Sequence, residues 1–168
     1  MSNEFKDWYD SLTETQKKNY DLCMKYPILI PTNRWTGKTW DDYMYEITEL
    51  DNIPLGWKNA FGEQWASEVQ EALNKLPENV RETIRIMDLK EKWGYFHQYF
   101  SYYTEDLDKV IAKYERLSEH TCITCGAPAT KISRGWISPF CDVCAEKLHY
   151  QTIDIDEWFK EDDEDGEN

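Results

Sequence analysis

This chain of 168 residues has no apolar run long enough to cross a bilayer; the longest is Pro27-Ile-Leu-Ile-Pro31. Its opening, Met1-Ser-Asn-Glu-Phe-Lys-Asp7, lacks the basic and then apolar pattern of a secretory signal. Of five cysteines, four fall in two Cys-x-x-Cys pairs, for which two disulfides or a redox motif are the rival reading to a metal site, and Cys23 is left over. This usage suits a reducing compartment better than an oxidising one, so the expected location is cytoplasmic. Positive charge is also scarce, with 19 Lys and Arg against 33 Asp and Glu and a net charge of −14. Such a balance repels nucleic-acid phosphate and anionic membranes unless basic residues are segregated on one face. The segment Thr36-Gly-Lys-Thr39 has the end of a phosphate-binding loop but Thr32 where the motif needs glycine, which excludes nucleotide binding by that device.

Aromatic residues, by contrast, are plentiful, with eight Trp, eleven Tyr and six Phe. Forty per cent apolar residues put the chain among folded proteins with a real core. Phe5, Trp8, Tyr9 and Leu12 recur at helical spacing and predict a short helix over 3–12. Thr13 and Gln16 form a capping box for a second helix, which Pro27 stops. Cys23 sits within that helix as a small core residue. Residues 27–58 are rich in Pro, Gly, Trp and Tyr and resist assignment to regular structure.

A third helix is expected over 59–76 from Phe61, Trp65, Val69, Leu73 and Leu76, with Glu63, Glu68 and Glu71 on a solvated face. Residues 83–89 and 95–103 are rich in strand formers, and 90–94 between them suggest an antiparallel hairpin. In its second strand Phe96, Gln98, Phe100 and Tyr102 share one face, and Tyr95, His97, Tyr99 and Tyr103 the other. His97 has no carboxylate or hydroxyl spaced to act with it, so no catalytic constellation is expected. Thr104 caps a further helix with an apolar stripe of Leu107, Val110, Ile111, Tyr114 and Leu117.

The most specific signal is Cys122-Ile-Thr-Cys125 and Cys141-Asp-Val-Cys144. Two Cys-x-x-Cys knuckles at this separation read as a Zn²⁺ site, because each turns two thiolates towards one point and four complete a tetrahedron. With no position left open, the metal is expected to be structural. Between the knuckles a hairpin turned near Arg134-Gly135 is expected, with Ile132, Trp136, Ile137 and Phe140 packing around the metal. Lys131 and Arg134, with Lys147, offset thiolate charge on one reading. On another, Lys131, Arg134 and Trp136 contact a partner or nucleic acid. His120 and His149 flank the module and are within reach, in sequence, of a sulfur. From residue 154 onward nine acidic residues oppose Lys160 alone, a net of −8, and this end is expected to be a disordered tail.

Three blocks, Tyr26-Pro-Ile-Leu-Ile-Pro-Thr-Asn-Arg-Trp-Thr-Gly37, Leu89-Lys-Glu-Lys-Trp-Gly94 and residues 120–141 with their cysteines, resemble small uncharacterised proteins encoded in bacteriophages and prophages. The resemblance implies a phage accessory protein made in a bacterial cytoplasm and carries no catalytic residue with it. The expected architecture is α+β: a body (1–118) of helices on a small antiparallel hairpin, a Cys₄ zinc ribbon (119–150) and an acidic tail (151–168). The expected function is non-enzymatic binding of a host or phage protein, with inhibition of a bacterial defence factor as one form of it. The alternative is a zinc-ribbon nucleic-acid-binding protein.

Overall fold

The computed structural model describes residues 2–165 and has an α+β architecture. Helix α1 (Asn3–Ser11) and helix α2 (Glu14–Lys25) form an aromatic hairpin, in which Trp8 and Tyr20 meet edge to face at 5.3 Å. The capping box at Thr13 and Gln16 is present, since each residue's side chain accepts the other's backbone N–H. Cys23 is fully buried. Two 3₁₀ turns, Pro27–Leu29 and Glu49–Asn52, bound an irregular segment.

An ion pair on a buried carboxylate ties that segment together. Arg34 grips Glu49 with two parallel bonds of 2.9 Å, and its Nη1 also donates to the Ile86 carbonyl at 2.5 Å. Glu49 is 1 % exposed and accepts a further bond from Asn52, so its charge is fully partnered.

The expected helix over 59–76 begins earlier and winds less regularly. Helix α3 (Leu55–Trp57) passes through a π-helical turn (Lys58–Gly62) into helix α4 (Glu63–Asn74). The extra residue in that turn brings Trp57, Phe61 and Trp65 onto one buried face. Glu68 is not simply solvated: it binds Lys113 and the Tyr114 hydroxyl and so ties α4 to the helix that follows the hairpin. Helix α5 (Glu78–Arg81) then leads into strand β1 (Ile86–Lys92), which pairs antiparallel with strand β2 (Tyr95–Phe100).

The hairpin turn is Trp93-Gly94 alone, both at positive φ, as a two-residue turn matched to strand twist requires. Residues 90–92 belong to the strand rather than to the turn. Phe96, Gln98 and Phe100 face the core, with Gln98 accepting the Trp65 indole N–H at 2.7 Å. Tyr102 lies beyond the strand and is exposed. Helix α6 (Glu105–Glu119), capped by Thr104, covers the sheet. Ser118, not Leu117, completes its buried face, and its hydroxyl accepts the Phe96 N–H at 2.8 Å.

The C-terminal sheet has strand order β4-β3-β5, antiparallel throughout, from β3 (Lys131–Ser133), β4 (Pro139–Phe140) and β5 (Thr152–Asp154). Helix α7 (Asp142–Glu146) follows β4, and helix α8 (Ile155–Asp165) follows β5. The expected disordered tail is therefore corrected over 152–165. Ile155 is buried, Phe159 lies against His120 at 4.8 Å, and strand β5 completes the ribbon's sheet. The expectation for residues 166–168 lies outside the described residues.

Candidate metal centre

Each pair of cysteines is placed by a local backbone device. In the first knuckle the Cys122 N–H donates to the Ala127 carbonyl at 2.7 Å, and the Gly126 N–H to the Cys122 carbonyl at 3.0 Å. Gly126 has φ +83. In the second, Cys141 is the N-cap of α7, where its sulfur accepts the Cys144 N–H at 3.4 Å. The sequence Cys-Asp-Val-Cys thus starts a short helix that turns both sulfurs to one side.

The four sulfurs lie within 4.8 Å of one another, and those of Cys125 and Cys141 are 3.6 Å apart. A tetrahedral site with bonds of about 2.3 Å needs sulfurs roughly 3.8 Å apart, so the arrangement fits a metal ion. Cys122 and Cys144 are buried, Cys141 is half-buried and Cys125 is exposed. Burial pushes the Cys122 thiol up, but the backbone amides of Cys125, Cys141 and Thr124 outweigh it and bring it down to about 7. Burial, with the neighbouring thiols of Cys141, Cys125 and Cys122, pushes Cys144 up to about 12. The four thiols interact and titrate as a set, and a cation bound among them displaces the protons they hold.

The knuckle is seated directly on the body. The Trp57 indole N–H donates to the Thr121 carbonyl at 2.9 Å, and the Gly56 N–H to the Ile123 carbonyl at 3.0 Å. Only glycines allow this approach: a Cβ at Gly56 would lie 2.3 Å from the Cys122 carbonyl oxygen, and one at Gly126 2.6 Å from the Gly56 oxygen. Nothing in the sequence around Trp57 signalled this contact, because it joins segments more than sixty residues apart.

The other residues singled out from sequence have different fates. Lys131 pairs with Asp154 at 3.8 Å and Arg134 with Glu161 at 3.7 Å, so both address the acidic C-terminal segment rather than the sulfurs. Trp136, expected to pack around the metal, is 73 % exposed on the β3–β4 turn. Phe140 packs with Cys122 and Cys144 as expected, whereas Ile132 is buried outside that cluster. His120 rests on Phe159, and His149 is exposed. His97 lies beside Tyr99 at 6.5 Å, on the hairpin face turned away from the core. No family model, curated protein or solved structure matches this chain.

Proposed function

We propose that the chain is a non-enzymatic binding protein in which a structural Zn²⁺ holds the C-terminal ribbon against an aromatic body. Four thiolates are a soft, closed donor set, which favours zinc and leaves no position for a substrate. One zinc per chain is expected by metal analysis, and Cys122→Ser and Cys144→Ser each abolish it; full zinc retention by both variants contradicts the ligand assignment.

The observation that carries the binding reading is a pair of exposed tryptophans. Trp93 and Trp136, 69 % and 73 % exposed, stand on the turns of two hairpins that touch through Gly94 and Ile137. Large aromatics held in solvent on rigid turns are the side chains that anchor protein interfaces. The setting, a phage accessory protein engaging a host or phage protein in a bacterial cytoplasm, rests on the sequence resemblance. Inhibition of a defence factor is one form such binding takes.

The nucleic-acid alternative is less favoured because Lys131 and Arg134 already meet carboxylates. A tagged pull-down from bacterial lysate, with and without nuclease, separates the two. A partner that survives nuclease and is lost on the double substitution Trp93→Ala and Trp136→Ala supports protein binding. A signal destroyed by nuclease transfers the reading to nucleic acid.

A further inference from the structure

A cleft remote in sequence from Cys122–Cys144 lies between the C-terminal end of α2, the 27–39 segment, α4 and the 81–86 stretch. It has a volume of about 560 Å³, within the usual range for small-molecule pockets. Its apolar wall includes Met24, Ile28, Ile30, Leu73 and Ile84. Met24, 49 % exposed, leaves that wall open to solvent.

The polar side of the cleft carries an excess of positive charge that is unusual for this chain. Lys25, Arg81 and Arg85 line it against a single carboxylate, Glu82. None of these three cations forms an ion pair with a described carboxylate, although nine other basic residues do. In a protein of net charge −14, three uncommitted cations on one cleft wall are not a by-product of general basicity.

A second observation concerns unmet hydrogen bonding. Arg85 Nε and Thr32 Oγ1 are buried polar atoms with no partner, and both residues line the cleft. An unpaired buried donor in a folded protein calls for a missing partner, such as an ion or ligand. Arg85 is meanwhile held in place: its Nη2 donates to the Arg34 carbonyl at 3.2 Å, its backbone N–H to Ser101 Oγ at 3.0 Å, and its Nη1 lies where a Cβ at Gly37 would stand, 2.9 Å away. Gly37 at φ +69 therefore makes room for the guanidinium. The cleft floor is fixed too, because Gln70 accepts the Ile28 N–H and donates to Asn74, each at 3.0 Å.

From this geometry we infer that the cleft binds a small phosphomonoester with an apolar or heteroaromatic body. Three cations against one carboxylate leave two net positive charges, which match a phosphate dianion better than a monocarboxylate. The planar fork of arginine suits phosphate oxygens. The apolar wall accounts for the body of the ligand. The Thr36-Gly-Lys-Thr39 segment thus contributes through Gly37 and Thr39 to the cleft wall, without forming a phosphate-binding loop of the familiar kind. This inference is independent of the binding role assigned to Trp93 and Trp136.

Calorimetry and amide NMR on the zinc-loaded protein at fixed ionic strength test it, with phenyl phosphate, inorganic phosphate, benzoate and phenol as probes. Phenyl phosphate is expected to bind saturably, shifting amides at 25–39, 70–74 and 81–86, at least about tenfold more tightly than inorganic phosphate or benzoate. Phenol is expected to leave those amides unmoved. Because Arg85 also anchors the 34–37 loop, Arg85→Gln is paired with Arg81→Gln and Lys25→Gln, which remove charge at the cleft without touching that anchor. Weakening of about tenfold or more in Arg81→Gln, with an unchanged spectrum elsewhere, supports the site. Absence of saturable binding, equal binding of benzoate, or unchanged affinity in Arg81→Gln and Arg85→Gln together overturns it.

Discussion

The body buries Trp57, Phe61, Trp65, Phe96, Phe100 and Tyr114 in one continuous cluster, whereas the cluster around the knuckles contains Phe140 and, besides it, two of the metal ligands, Cys122 and Cys144. The aromatic rings of the body touch one another directly, Trp65 and Phe96 at 5.3 Å and Phe61 and Tyr114 at 5.5 Å. The body can thus draw its stability from removing large apolar side chains from water. The ribbon's cysteine cluster buries far less, and on the proposed reading the ribbon draws on a bound metal, on its sheet with β5, and on the seat that Gly56 and Trp57 provide.

That contrast is broken most severely by removing the metal. Chelation, or Cys122→Ser, is expected to unfold the ribbon while the body persists. Metal binding in comparable small zinc modules is worth about 10 kcal/mol or more. Retention of ribbon amide protection against hydrogen exchange after chelation would count against the contrast.

Trp57→Ala should strike both regions at once. It opens a cavity in the body at a cost of about 3–5 kcal/mol, measured by denaturant unfolding. It also deletes the bond to Thr121, so zinc affinity is expected to fall with stability. A variant that loses stability with unchanged zinc affinity would separate the regions more sharply than the contacts imply.

Glu49→Gln confines the damage to the body. It leaves Arg34 without its carboxylate, at an expected cost of about 3 kcal/mol, the lower end for a broken buried pair because Arg34 is partly exposed. Zinc content should not change.

Burial pushes the Cys23 thiol up to about 11 from an ordinary value of 9.0. Above pH 9 the unfolded chain therefore releases a proton that the folded chain keeps, and this contribution makes stability fall as pH rises from 9 to 11. Cys23→Ala should flatten that part of the pH profile, and an unaltered profile would refute the assignment. Smallest of all, Thr13→Ala removes one cap of α2 and is expected to cost about 1 kcal/mol.

What could be read from the chain itself follows the range of the interactions involved. The Thr13 capping box, the Thr104 cap and the two Cys-x-x-Cys knuckles are local, and each is visible within a few residues. The segment between Pro31 and Ile53 was opaque because Arg34 finds Glu49 fifteen residues away and Ile86 fifty-two away. Composition misleads at the acidic C-terminal segment for a related reason. Its composition suggests disorder, yet strand β5 takes its order from the free edge of β3, and Ile155 and Phe159 from the surface it reaches. The two-residue turn at Trp93-Gly94 is hard to locate from sequence because Trp at positive φ is uncommon. The Arg85 cleft has no sequence signal, since its walls come from three separated stretches, 24–39, 70–74 and 81–86.

The dependence of the ribbon on its metal is tested most directly by titrating zinc into the chelated protein while recording amide NMR. The account predicts that resonances of 119–150 sharpen and disperse together, saturating at one zinc per chain, while those of the body change only near Gly56 and Trp57. Dispersed ribbon resonances before any zinc is added, or a body that gains its dispersion along with the ribbon, would contradict it.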